Sequence, residues 1–243
     1  MSIPKRAVAM TAGLAFAASL SSATWAAVSV QGTRLVYPAS EREITVRLSN
    51  DGQVPALMQV WIDRGDIQAQ PQDADAPFVV TPPIFRLDPG KGQSVRVAFS
   101  GENLPADRES LFWFNALEIP PMPEASERSY MQIAVRSRLK LFYRPPALAG
   151  NAAAAARAVR WQVLEQGGKR VLRGDNPSPY HVSFASLGLR QGGRSHDLGP
   201  GMIEPFAKGD FALPAGVRSD GLMLEYRWMS DYGVATEERV KVP

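Results

Sequence analysis

Short runs of alternating apolar and polar residues, each closed by a turn-forming cluster, dominate this chain and commit it to β-structure. Ile44, Val46 and Leu48 alternate in one run and Met58, Val60 and Ile62 in the next. Val95, Val97 and Phe99 follow, then Leu111, Trp113, Asn115 and Leu117. A period of two puts the apolar side chains of a strand on one face. Between the runs lie Asn50-Asp51-Gly52, Asp88-Pro89-Gly90 and Pro120-Pro121. There Gly accepts positive φ, Pro presets φ, and Asx side chains bond their own backbone.

Runs near 28–37 and 79–87, with the stretch from Tyr130 to Arg144, bring the expectation to about seven strands, which suggests an immunoglobulin-like sandwich. Pro145-Pro146-Ala147-Leu148-Ala149-Gly150 interrupts the pattern. Proline cannot extend a central strand, so the domain boundary falls there, with residues 27–146 before it and 147–243 after. The run Ala152–Ala156 favours helix but is too short to hold one alone and reads as a connector. Strands return at 159–165, 170–173, 180–187, 210–213, 222–229 and 237–242, with turns at Asn176-Pro177-Ser178-Pro179 and Asp231-Tyr232-Gly233. The expected architecture is all-β, with a second, smaller β-sandwich or barrel.

Residues 1–26 stand apart. Lys5 and Arg6 precede an uncharged small-residue stretch, and Thr24-Trp25-Ala26 offers a cleavage site, the form of a secretory signal peptide. Both cations leave with that leader, so the net charge of +3 overstates the mature protein's. No Lys/Arg cluster points to nucleic acid. The chain has no cysteine, which excludes a disulfide framework, a thiolate nucleophile and a Cys-ligated metal. His181, in the apparent strand beginning at Tyr180, and His196, in a polar Gly-rich loop, have no partner at metal-ligand spacing and read as ordinary surface or half-buried histidines. Asp107-Arg108-Glu109 reads as a structural ion pair rather than acid/base carboxylates. No catalytic constellation, metal site or cofactor is expected, which argues against a periplasmic enzyme.

The stretch YMQIAVRSRLKLFYRPP, Tyr130–Pro146, alternates Met131, Ile133 and Val135 with polar or small residues before reaching Lys140. Periodicity leaves two readings open. The strand can be central and line its own core, or it can be an edge that pairs with another chain and lends it side chains. Met131, Ile133 and Val135 are odd-numbered and Lys140 is even, so strong twist or a bulge is expected between Val135 and Lys140.

Several stretches together resemble the periplasmic chaperones of the chaperone–usher pilus pathway. They are AVSVQGTRLVY, SNDGQVPALMQVWID, TPPIFRLDPGKGQSVRV, LPADRESLFWFNALEIPP and SRLKLFYRPP, then NPSPYHVSF and SDYG. The resemblance implies two immunoglobulin-like β-sandwich domains meeting in an L, or boomerang, with a cleft between them. It implies that Arg34 and Lys140 grip the C-terminal carboxylate of a pilus subunit. Met131, Ile133 and Val135 would fill a groove where the subunit lacks a strand, and Glu109, Arg144 and Asp231 would join the domains by ion pairs. The implied partners are pilus subunits and an outer-membrane usher, with no nucleotide or cofactor, and self-association is the alternative use of the apolar row when no subunit is bound. The short connection expected near Pro120–Ser129 resembles the short-loop branch of the family. The alternative is a secreted fimbrial or adhesin-type structural subunit. Such subunits usually carry an N-terminal extension to donate, whereas here the mature chain goes straight into a strand.

Overall fold

The structure is a computed structural model that describes residues 27–122, 132–218 and 221–243. The expected leader and Met131 lie outside the described residues. In chain order the first half contains β1 (Val28–Val30), β2 (Arg34–Pro38), β3 (Glu43–Asn50), β4 (Ala56–Asp63), β5 (Phe78–Thr81), β6 (Ile84–Leu87), β7 (Gly92–Phe99), β8 (Ser110–Ile119) and β9 (Val135–Arg144). One sheet has the order β1-β3-β7-β5 and the other β2-β9-β8-β4-β6. Met58, Val60, Phe112, Phe114 and Ala116 from the second sheet meet Val46, Leu48, Val95 and Val97 from the first, all buried in one core. This core follows directly from the period of two. Each large apolar side chain removed from water contributes about 1.5–3 kcal/mol.

The second half contains α1 (Ala152–Ala158), β10 (Arg160–Gln166), β11 (Lys169–Asp175), β12 (Val182–Gln191), β13 (Arg194–Ile203), β14 (Lys208–Ala212), β15 (Met223–Met229) and β16 (Ala235–Lys241). Its sheets run β10-β11-β14 and β13-β12-β15-β16 around Trp161, Leu172, Phe184, Leu187, Leu189, Leu224 and Trp228. The molecule is therefore two β-sandwiches.

Four expectations need correction. The runs 28–37 and 79–87 are each two strands. Gly32, at φ 92°, carries the chain from β1 in one sheet to β2 in the other, and Pro82-Pro83 separates β5 from β6 in the same way. Ala152–Ala158 is a helix rather than a plain connector. Asn151 caps it by accepting a hydrogen bond from the Ala154 N–H at 2.9 Å, and Ala155 and Ala156 are buried against the second core. Tertiary packing supplies what an isolated turn lacks. His196 lies on β13, opposite Leu189, and not in a loop. Finally, of the strand expected from Tyr130, residues 132–134 are not strand and β9 begins at Val135, which faces Glu118, the last residue of β8 that pairs with β9.

Candidate functional site

The two halves of β9 have different neighbours. Lys140–Tyr143 is flanked on both sides, by β8 and by a parallel ladder with β2 that extends to Arg144. Among the described residues Val135–Leu139 pairs only with β8, and no strand pairs with its other edge. Its backbone groups on that side are free to bond a further strand. Val135 is 38% exposed and Ile133, just before the strand, is 65% exposed. Among the described residues β9 is central in its second half and an edge in its first.

Of the two irregularities expected between Val135 and Lys140, strong twist or a bulge, the bulge is absent. The pairing with β8 runs without a shift from Glu118↔Val135 to Ser110↔Tyr143. The difference in parity is instead a difference in face. Odd-numbered Leu139 and Leu141 are buried in the sandwich, so Val135 begins a row that continues into the protein's own core. Lys140 stands on the outer face with Arg136, Arg138, Phe142 and Arg144.

Arg34 on β2 is the direct register partner of Lys140. The Lys140 Nζ donates to Ser183 Oγ at 3.1 Å, and the Arg34 Nη1 donates to the Met229 carbonyl at 3.3 Å. Both contacts reach the second sandwich, so the two cations sit where the sandwiches meet. Among the described residues no carboxylate lies within ion-pairing distance of either. The Arg34 Nε is buried without a hydrogen-bond partner. Burial, followed by the charge of Arg34, brings Lys140 down from 10.5 to about 8. Burial also lowers Arg34, against the opposing pull of Asp231 and Glu109. Two neighbouring cations partly held out of water, neither ion-paired to a carboxylate among the described residues, form a site that favours an anion.

Glu109, Arg144 and Asp231 do come together. The Arg144 Nε donates to Glu109 Oε1 at 2.8 Å, and its two terminal nitrogens donate to the Asp231 carboxylate at 2.8 and 2.9 Å. Burial opposes the Arg144 charge, but Asp231 and Glu109 outweigh it and raise its pKa. Glu109 belongs to the first sandwich and Asp231 to the second, so the cluster spans the junction. It is not a set of surface pairs, since the Glu109 side chain is only 2% exposed. Sequence reasoning missed its fourth member. His181 donates its backbone N–H to Glu109 Oε2 at 2.8 Å and places its Nδ1 3.3 Å from the same oxygen. It is buried at the junction, and an isolated histidine in a sequence gives no signal of that.

Two immunoglobulin-like sandwiches joined by a buried ion-pair cluster, with one strand half unpaired beside two cations that have no ion-paired carboxylate among the described residues, define a two-domain binding protein. Residues 27–149 match the family of pili and flagellar-assembly chaperones through its PapD N-terminal domain, and residues 154–240 match the pili assembly chaperone PapD C-terminal domain. The chain belongs to this family of pilus-assembly chaperones. It is 41% identical over 230 residues to the chaperone protein FimB/FhaD of Bordetella pertussis, covering 92% of this chain and 91% of that one. The crystal structure of the Pseudomonas aeruginosa CupB2 chaperone is 39% identical, with a TM-score of 0.76 over 88% of this chain and 100% of that one. A chain from the structure of the Salmonella enterica SafA pilin in complex with the SafB chaperone is 27% identical, with a TM-score of 0.75 over 91% of this chain and 99% of that one.

Proposed function

We propose that the protein acts in the periplasm, binding pilus subunits by lending them the open edge of β9. Arg34 and Lys140 anchor the subunit's C-terminal carboxylate, while Met131, Ile133 and Val135 fill the groove where the subunit lacks a strand. The subunit then passes to an outer-membrane usher, where another subunit's N-terminal segment replaces the lent strand. Residues 1–26, with the form of a cleavable leader, support the periplasmic assignment. The Salmonella chaperone–pilin complex among the structural relatives supports a pilin as the guest. No cofactor or nucleotide enters the scheme.

One observation carries the reading: among the described residues, a strand edge that no other strand pairs with ends at two facing cations that have no ion-paired carboxylate. The edge supplies backbone hydrogen bonds, and each apolar side chain buried in the guest contributes about 1.5–3 kcal/mol. Each charge-assisted hydrogen bond to the carboxylate adds about 1.5–3 kcal/mol. The carboxylate also fixes the register, since a slip of one residue turns every side chain to the wrong face. In the absence of a guest, the same edge is available to a second copy of the chaperone. Co-purification with pilus subunits tests the proposal: subunits with an intact C-terminus are retained and subunits truncated there are lost. Equal retention of both would overturn the anchor.

A further inference from the structure

An uncovered strand normally frays, yet the outer face of β9 carries a clamp opposite the unpaired segment. Asp63 on β4 is buried although it lies on the outer face of a sheet, and its neighbour on β8, Asn115, is fully buried. The cover comes from β9. Arg136 donates through Nε and Nη2 to Asn115 Oδ1 at 2.9 and 2.7 Å and through Nη1 to the Ile67 carbonyl at 3.0 Å. Its Nη2 also lies 3.3 Å from Asp63 Oδ2, and the Arg138 Nη2 donates to Asp63 Oδ1 at 2.6 Å. Asn115 Nδ2 donates to Asp63 Oδ2 at 2.8 Å, which joins the acceptors of the network. The guanidinium of Arg136 lies 4.7 Å from the centre of the Trp61 ring, and that of Arg138 lies 4.5 Å from Trp113. Two long side chains thus reach back across β8 to β4 from the segment that has lost its β2 neighbour.

We propose that Asp63, Asn115, Arg136 and Arg138 are positioning residues that hold Val135–Leu139 extended and flat on β8 before any guest arrives. Side chains on the outer face replace the restraint that a second ladder would give, and the backbone edge stays open. A preformed edge loses little conformational freedom on pairing. The inference rests on reading β9 as the lent strand. Its physical core, the clamp on a free edge, is measurable without a guest.

The test is hydrogen–deuterium exchange on the full mature chain. In the variant Asp63→Asn/Arg136→Met/Arg138→Met, which removes the charges while keeping apolar stems over the tryptophans, amide protection in 136–139 falls about tenfold or more. Protection in 140–144, held by β2, falls no more than that of the other central strands. Arg136→Met alone, which keeps the Arg138–Asp63 pair, gives a smaller loss in the same segment should the triple variant not fold. Unchanged protection in 136–139, or a uniform loss across β9, overturns the clamp. With a pilus subunit that the parent protein captures, the triple variant associates more slowly and dissociates at the parent's rate. If the parent captures no subunit, the functional reading fails while the exchange result still decides the clamp.

Discussion

Arg34 and Lys140 face one another across the parallel ladder of β2 and β9, and each hydrogen-bonds across the junction to the second sandwich, to Met229 and Ser183. Such a pair costs the free protein stability, because two cations are partly desolvated side by side. Arg34→Ala or Lys140→Ala should therefore leave the free chaperone as stable as the parent, or slightly more so, while weakening subunit binding by about 10- to 150-fold per charge-assisted bond lost. Thermal denaturation and a pull-down of subunits measure the two halves of this prediction. Normal capture by either variant would remove the anchoring role.

Lys140, held at about 8 in place of 10.5, makes that binding depend on pH. Between these values the unfolded chain binds the lysine proton more tightly than the folded chain. This group's contribution to the stability of the free protein therefore rises with pH from about 8 to 10.5. A bound carboxylate needs the charged form. Below about 8 the proton is already in place, and above it binding must take one up, so affinity falls by up to about tenfold per pH unit. Calorimetry in buffers of different ionisation enthalpy near that pH should show proton uptake on binding. Lys140→Met should abolish it.

How much of this was legible depended on whether the signal was local. The runs at Ile44–Leu48, Met58–Ile62, Val95–Phe99 and Leu111–Leu117 became β3, β4, β7 and β8 because each side chain is placed by its own strand's period. β13, reading RSHDLGPGMI, has almost no apolar alternation. It forms because β12 offers it a ladder, and Gly201 leaves room for the Phe211 ring. Periodicity described the apolar row of β9 but not where its second neighbour stops, which β2 decides from far away in the sequence. Asp63 shows the same limit, since one acidic residue at the end of a strand reads as solvated until Arg136 and Arg138 fold over it. Arg34 carried no signal of its own, Glu109 read only as part of a local ion pair and Asp231 only as part of a turn; the roles expected of all three came through the resemblance.

The cluster at the junction should respond unequally to its two carboxylates. Asp231 is a third exposed, whereas Glu109 is buried and also holds His181. Asp231→Asn should cost about 1 kcal/mol. Glu109→Ala should cost about 3 kcal/mol, because it leaves Arg144 with one partner and the His181 N–H with none. Both losses belong to the coupling of the domains, so subunit affinity should change less than stability does. Denaturant titration followed by separate fluorescence of tryptophans in each sandwich would measure the coupling, and equal midpoints for Glu109→Ala and the parent would contradict it.

The loop that carries Asp231 also touches the anchor. Gly233 has φ 76°, and a Cβ built there would collide with the Thr33 side chain, one residue before Arg34. Gly233→Ala therefore combines two penalties: a left-handed conformation that alanine adopts at a cost of about 1 kcal/mol, and a displacement of the loop from β2. Relief of the collision pulls Asp231 away from Arg144 and the Met229 carbonyl away from Arg34, so one methyl group disturbs both the junction and the cation pair. The expected outcome is a loss of about 1–3 kcal/mol in stability together with weaker subunit capture. Gly90→Ala also carries positive φ, at 67°, but meets no atom within 4 Å. It should pay only the conformational part and capture subunits normally. Equal capture by the two variants would show that the loop's contact with Thr33 does not support the anchor.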